Sequence, residues 1–356
     1  MRAPKFWSNP PSRPGLAARL LWPASLVYAA AGAARLRGGR PHRPRAPVIC
    51  VGNLVAGGAG KTPTVLALCA RLAAHGLDAH VLTRGYGGKV RGPHRVDPER
   101  DTAEEVGDEA LLLAQRRPTW VGADREASAI AAVLDGAEIL VMDDGFQNPS
   151  IVKDLSFLVV DAGVGHGNGR VIPAGPLREP LRAGFARASA AVLIGDPADD
   201  ADPIWFPAGL PVLKARLSPL ESGIRLSGER VVAFAGIGRP RKFFDTLRSM
   251  GAEIVSATAF PDHHRYSTAI LQRLEMKAHA EDAMLVTTEK DAVRFPAWFR
   301  GRAIPIPVML GFEDPLAVDA LLDRLFETGG AASGELDPWA ERSHDLGAPA
   351  PARRPS

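Results

Sequence analysis

Residues 47–62, Pro-Val-Ile-Cys-Val-Gly-Asn-Leu-Val-Ala-Gly-Gly-Ala-Gly-Lys-Thr, constrain this chain more than any other stretch. The apolar run ending at Val51 reads as a buried strand. Gly57, Gly58 and Gly60 then clear the loop of bulky side chains before Lys61 and Thr62 open an Ala/Leu-rich helix. Strand, glycine loop and helix in this order form a phosphate-binding loop in its required context. The backbone of Val55, Ala56, Gly57, Gly58, Ala59 and Gly60 can aim N–H groups at phosphate oxygens, and the helix N-terminus adds positive potential. Lys61 can reach the β- and γ-phosphates, and the Thr62 hydroxyl can hold Mg²⁺. The usual pattern has glycine where this chain has Val55, which argues against a standard GTPase or helicase. A mere glycine turn before an ordinary helix is the competing reading, and Gly-Gly-x-Gly-Lys-Thr directly after a strand is seldom accidental.

Charge is distributed unevenly. Residues 1–48 hold nine Lys or Arg and no acid, so the net charge of +3 conceals a body that is acidic. Between Arg19 and Arg35 lie 15 uncharged residues interrupted by Pro23, against about 20 needed to span a bilayer. Trp22 and Tyr28 favour an interface, and flanking arginines favour anionic lipid, so residues 1–46 are expected to lie on a membrane surface. An export signal fits poorly, because Arg19 interrupts the segment and a nucleotide-binding pattern follows at once; a soluble helix with a solvated basic arm is the bland alternative. Nucleic acid is not expected as a partner, since basic and aromatic residues do not interleave. Cys50 and Cys69, in apolar surroundings, supply neither a disulfide framework nor metal spacing and read as core residues of a cytoplasmic protein.

The chain continues in alternating strands and helices, the pattern of a parallel α/β sheet. Arg84-Gly-Tyr-Gly-Gly follows the second strand, where ligands of open parallel sheets collect, and a glycine turn with a solvent-facing Arg84 fits the motif equally well. Asp108 opens a helix, and the strand from Ile139 to Met142 runs into Asp143 and Asp144, where a phosphate-loop protein keeps a carboxylate for its metal. Residues 167–180, too rich in Gly and Pro for regular structure, end in Arg178-Glu179 and read as a functional loop. Residues 196–211 read as a polar connection. The boundaries expected are a phosphate-loop domain over 47–222, a smaller α/β domain over 223–328 and a disordered tail over 329–356.

In order, Val-Gly-Asn-Leu-x-x-Gly-Gly-x-Gly-Lys-Thr-Pro, Arg-Gly-Tyr-Gly, Val-Gly-Asp-Glu, Asp-Asp-Gly-Phe-Gln, Gly-Asn-Gly-Arg-x-x-Pro-Ala-Gly-Pro-Leu-Arg-Glu-Pro, Phe-Pro-Asp-His and Thr-Glu-Lys-Asp-Ala-Val resemble the tetraacyldisaccharide 4′-kinase family, the lipid A kinases of Gram-negative bacteria. That family also lacks the first glycine of the loop. The resemblance implies a phosphate-loop NTPase-like domain joined to a smaller α/β domain, with a membrane-associated N-terminal helix. It implies ATP and Mg²⁺, transfer of the γ-phosphate to the 4′-hydroxyl of an acylated glucosamine disaccharide 1-phosphate, and a monomer on the cytoplasmic face of the inner membrane. Lys61 and Thr62 would hold ATP and Mg²⁺, and Asp143 and Asp144 would stand at the metal and γ-phosphate. Asp108 would orient the hydroxyl or accept its proton, with His263 as its partner from the second domain. Arg84, Gln147, Arg178 and Glu179 would meet the substrate. Such an Asp–His pair is expected to form only when the domains close. Asn148-Pro-Ser departs from the family's usual residues, and His264 is an extra histidine beside His263.

Two other function classes fit less well. A switch or metallochaperone ATPase would carry a second lysine near the start of the loop, and residues 53–59 have none. A GTPase would need Asn/Thr-Lys-x-Asp, whereas Thr288-Glu-Lys-Asp has its lysine one place late. Against another small-molecule kinase stand the basic interfacial leader and the 167–180 loop.

Overall fold

The computed structural model describes residues 3–196, 204–220 and 224–327. The strands in chain order are β1 (Val48–Gly52), β2 (Ala79–Thr83), β3 (His94–Arg95), β4 (Thr119–Val121), β5 (Ile139–Asp143), β6 (Leu155–Asp161), β7 (Ala190–Ile194), β8 (Val212–Pro219), β9 (Arg230–Ala235), β10 (Glu253–Ala259), β11 (Met284–Thr288), β12 (Ile304–Ile306) and β13 (Val308–Phe312). The larger sheet has the order β13-β8-β7-β6-β1-β5-β2-β4-β3, and the smaller is β10-β9-β11-β12. The larger sheet is parallel except at its edges, where β13 opposes β8 and β3 opposes β4; the smaller is parallel throughout.

The continuous apolar run of β1 follows from burial on both faces. Ile49 and Val51 point into one core with Val65, Leu68 and Leu72 of the helix Lys61–Ala74. Val48 and Cys50 point into the other, with Ala129 and Ala132 of the helix Arg125–Leu134. Cys50 and Cys69 are free and buried, and burial pushes each thiol up to about 12.

The structure departs from the expected layout after residue 211. The strand β8 alternates buried Leu213 and Ala215 with exposed Val212, Lys214 and Arg216, a half-covered pattern that follows directly on the polar connection. The smaller sheet does not extend to residue 328. The chain returns to the larger sheet, pairing β13 with β8 and packing Val318, Leu321, Leu322 and Leu325 of the helix Pro315–Glu327 into the core of the Lys61–Ala74 helix. Arg71 and Asp319 lock these two helices together. Residues 221–223 around the expected boundary, residues 197–203 of the 196–211 connection and the expected tail over 329–356 lie outside the described residues.

At the N-terminus, helices Leu16–Leu20 and Trp22–Gly38 lie against the 167–180 loop. Ser25 Oγ donates to the Val171 carbonyl at 2.7 Å and accepts from the Ala174 N–H at 3.0 Å, and Trp7 Nε1 donates to the Pro173 carbonyl at 3.1 Å. Among the described residues no helix is long and apolar enough to cross a membrane.

Candidate active site

The glycine loop leaves the carboxyl end of β1 at the centre of the larger sheet. Its start is zipped to the end of the 167–180 loop: Val55 bridges Leu177, Ala56 N–H donates to the Pro176 carbonyl at 2.8 Å, and Arg178 N–H donates to the Leu54 carbonyl at 2.7 Å. A residue in such a strand-like pairing needs no glycine freedom, which accounts for Val55 where the usual pattern has glycine. Asn53 braces the turn from inside. Its Nδ2 donates to the carbonyls of Val55 (2.6 Å) and Gly57 (3.2 Å), and its Oδ1 accepts from Lys61 Nζ at 3.4 Å. Gly60 caps the helix in the left-handed region (φ 88°), and a Cβ there would stand 2.5 Å from Cδ1 of Ile194.

Beside this loop, β5 delivers Asp143 and Asp144. Asp144 has a left-handed backbone (φ 52°) that turns its carboxylate between Arg178 Nη1, at 2.9 Å, and Lys61 Nζ, at 3.7 Å. Burial works to raise this carboxyl, but Lys61 and Arg178 outweigh it and hold it below the usual range. Asp143 is buried, and its Oδ1 has no hydrogen-bond donor among the described residues. Burial pushes its carboxyl well above the usual range, and Glu109 adds to the effect.

A second cluster joins the two sheets. Asp108, at the start of the helix Asp108–Ala114, is buried, and its Oδ2 accepts from His263 Nδ1 at 2.8 Å and from Arg294 Nε and Nη2 at 2.9 and 2.5 Å. Its Oδ1 accepts one N–H, that of Glu109, at 3.0 Å. Burial opposes the charged carboxylate here too. The His263 hydrogen bond and the charges of Lys290 and Arg294 outweigh it, leaving the carboxyl far below the usual range. The Arg84-Gly-Tyr-Gly-Gly turn supports Asp108 from below. A Cβ at Gly107 (φ 91°) would meet the Tyr86 carbonyl at 2.7 Å, and one at Gly85 (φ 68°) would meet the Val106 carbonyl at 2.7 Å, so the two turns approach at glycine-only separation. His263 also has a left-handed backbone (φ 57°), and Tyr86 meets its ring edge-on at 6.1 Å. Two such non-glycine residues, Asp144 and His263, thus sit at the two halves of the site.

The remaining expected residues separate. Arg84 is exposed at the end of β2 and makes no hydrogen bond or ion pair among the described residues. Gln147 stands between motifs, its Nε2 donating to the Asn53 carbonyl and to Glu179 Oε1, both at 3.1 Å, and its Oε1 accepting from Arg178 at 3.4 Å. Glu179 is turned inward and held by Arg187 at 2.5 Å, with the Arg187 guanidinium 4.4 Å from the Phe146 ring centre. Its carboxylate orders Gln147 from behind instead of lining a cleft. His264 stacks on Phe260 at 4.7 Å and so packs within the smaller unit. In the segment that departs from the family pattern, Asn148 Oδ1 accepts from the Ser150 N–H and hydroxyl, both at 2.8 Å, closing a local turn.

Asn53, Arg187, Lys290 and Arg294 join these clusters without a role legible in the sequence alone. Asn53, Lys290 and Arg294 lie in or next to the Val-Gly-Asn-Leu and Thr-Glu-Lys-Asp-Ala-Val motifs, the one available signal, and Arg187 had none.

A parallel α/β sheet that gathers a glycine loop, Lys61, two carboxylates and an arginine at the carboxyl ends of β1 and β5 defines a phosphotransferase of the kinase class. The family described as "Tetraacyldisaccharide-1-P 4'-kinase" matches residues 17–327, and the chain belongs to it. It is 54% identical to a tetraacyldisaccharide 4′-kinase of Dinoroseobacter shibae over 330 residues, 92% of this chain and 98% of that one. It is 56% identical to that of Rhodospirillum centenum over 326 residues, 90% and 96% of the two chains. A crystal structure of LpxK from Aquifex aeolicus in complex with ATP superimposes with a TM-score of 0.71 at 27% identity, covering 87% of this chain and all of that one.

Proposed function

We propose that this protein transfers the γ-phosphate of ATP to the 4′-hydroxyl of a tetraacylated glucosamine disaccharide 1-phosphate, giving the 4′-phosphorylated lipid of lipid A biosynthesis. Family membership supports the reaction, and one observation carries the assignment of the donor site. Asp144 lies between Lys61 and Arg178 beside the glycine loop, while neighbouring Asp143 keeps a buried, unpartnered oxygen.

That orphaned oxygen fits a cation, since a buried carboxylate without a donor is costly unless a positive charge meets it. Asp143 and Thr62 would hold Mg²⁺, which when bound offsets the charge on the transferring phosphate. The glycine-loop N–H groups and Lys61 hold the β- and γ-phosphates, and Arg178 is placed to follow the γ-phosphate as charge shifts. Asp108 orients the sugar hydroxyl through Oδ1, the oxygen with one donor, and takes its proton late. A carboxylate held ionised is adequate for this, because a loose transition state asks little of the base.

The acceptor is a lipid, and the N-terminal segment suits it. Leu16, Leu20, Trp22, Leu26, Val27 and Tyr28 are exposed beside Arg19, Arg35 and Arg37, a composition for peripheral binding to an anionic surface such as the cytoplasmic face of the inner membrane. Between this segment and the 167–180 loop lies a cavity of about 1080 Å³ whose lining includes Trp22, Ser25, Leu26, Arg170, Arg182 and Trp205, apolar and cationic side chains together.

The test is transfer of label from γ-labelled ATP to detergent-dispersed tetraacyl disaccharide 1-phosphate. Labelled lipid that is lost with Asp108→Ala and with Lys61→Ala supports the reading; ATP hydrolysis without labelled lipid overturns the acceptor.

A further inference from the structure

Arg294 is almost wholly buried, lies outside the glycine-loop cluster, and touches both the smaller unit and the Asp108–Ala114 helix of the larger one. Its side chain has a relative exposure of 6%, unusual for arginine, and each of its contacts is directional. On the smaller unit Nη1 donates to the Gly236 carbonyl at 3.0 Å and to Asp291 Oδ1 at 2.9 Å. Asp291 is itself fixed, accepting from the Gly236 N–H at 3.0 and 3.1 Å, the Tyr266 hydroxyl at 2.8 Å and the Thr288 hydroxyl at 2.6 Å. A Cβ at Gly236 would crowd this frame, standing 3.0 Å from Asp291 Oδ1 and 2.9 Å from the Tyr266 oxygen. The guanidinium plane is therefore set before it meets the larger unit, and its other edge, Nε and Nη2, is presented to Asp108 as a two-pronged donor.

The consequence lies in which oxygen of Asp108 remains. Three donors, two from Arg294 and one from His263, fill Oδ2. Among the described residues Oδ1 accepts from the Glu109 N–H alone. A carboxylate without the arginine fork could rotate and offer either oxygen.

We propose that Arg294 is the positioning residue of the acceptor half of the site: by occupying Oδ2 from a frame built on the smaller sheet, it makes Oδ1 the oxygen presented to the sugar hydroxyl. The inference rests on the reading of Asp108 given above. It also gives the smaller sheet a part in catalysis separate from His263, since Arg294 carries the orientation fixed by Asp291 and Gly236 across to Asp108. Among the described residues Arg294 makes no hydrogen bond or ion pair with the glycine loop, Lys61, Asp143 or Asp144, so its loss is expected to act on the transfer step and leave the donor site intact.

The experiment is steady-state transfer to the tetraacyl disaccharide 1-phosphate by Arg294→Lys, Arg294→Met, Asp108→Asn and the Arg294→Met/Asp108→Asn double variant, with melting temperature and ATP affinity measured on each. Arg294→Met is expected to lower kcat about 100-fold, the scale of a misplaced reacting group, with ATP affinity unchanged within about 2-fold. Arg294→Lys, which keeps the charge and loses the fork, falls between, and it remains informative if Arg294→Met does not fold. In the Asp108→Asn background the Arg294 change has no further effect on kcat, because the group it positions is gone; a merely structural arginine would lower activity by the same factor in both backgrounds. Full kcat in Arg294→Lys and Arg294→Met, or independent effects in the double variant, overturns the proposal. Full kcat in Asp108→Asn instead overturns the reading of Asp108, and the two failures are thereby told apart.

Discussion

His263 Nδ1 lies 2.8 Å from Asp108 Oδ2, a hydrogen bond that spans 155 residues and joins the smaller sheet to the larger. It is one of several pairings across the same seam. Lys290 meets Glu109 at 2.9 Å, Arg116 meets Glu289 at 2.5 Å, and Arg239 meets Asp161. The acids at the start of the Asp108–Ala114 helix and the bases of residues 290–294 are complementary faces, so the Asp–His contact is embedded in an interface and does not stand alone. Double-variant kinetics test this coupling. His263→Ala is expected to lower transfer by about 10²–10⁴-fold, and adding His263→Ala to Asp108→Asn is expected to cost less than the product of the single losses. A full multiplicative loss would show that the two residues act separately.

Lys61 has one strong role. With its ammonium at Asn53 and Asp144, Lys61→Met is expected to leave the fold intact and lower kcat at least about 100-fold. Circular dichroism and the labelled-lipid assay check the two halves of the statement, and near-normal transfer would remove Lys61 from the donor site.

Val55 supplies a sharper test of the loop. Val55→Gly restores the residue common in phosphate loops, yet here it weakens the bridge to Leu177 and loosens the 167–180 loop. The expected outcome is a loss of about 0.5–1 kcal/mol in stability and weaker ATP binding, read by thermal melting with and without nucleotide. Tighter ATP binding by the variant would contradict the role given to the pairing.

The Asp108 carboxyl is far below the usual range in the folded protein, so its charge contributes stability that is complete above the unfolded value of about 3.9 and is lost as pH falls from there toward the folded value. Asp108→Asn removes one of the two buried carboxylates that meet Arg294, leaving Asp291, and is expected to cost about 1–3 kcal/mol. The gap in melting temperature between the wild type and this variant should be constant from pH 8 to pH 5 and narrow below about pH 4. A gap that widens on acidification would reverse the assigned shift.

The N-terminal helix is tested by Leu20→Asp with Val27→Asp, two exposed positions with no part in the docking made by Ser25. Flotation with vesicles containing anionic lipid is expected to fall about 10-fold or more, since each change removes apolar contact and adds like charge to the surface. Label transfer to detergent-dispersed lipid is expected to stay within a few-fold of wild type. Unchanged flotation would leave the segment a soluble helix.

The sequence by itself determined the parallel core and brought together the residues proposed as the donor half of the site. Strand β1, the glycine loop, Lys61 and the acids ending β5 are contiguous in the chain, and buried parallel strands are written as unbroken apolar runs that survive without tertiary context. It also paired Asp108 with His263, through motif order and not through any local pattern. Only the tertiary structure decided that Arg294 and Lys290 join them, that Glu179 faces inward to Arg187, and that residues 308–327 return to the larger sheet. These rest on contacts between residues far apart in the chain, where charge alone marks a residue as exposed and solvated by default. Burial of Arg294 and the choice between the two oxygens of Asp108 arise where the two sheets meet, and no periodicity within either segment encodes that meeting.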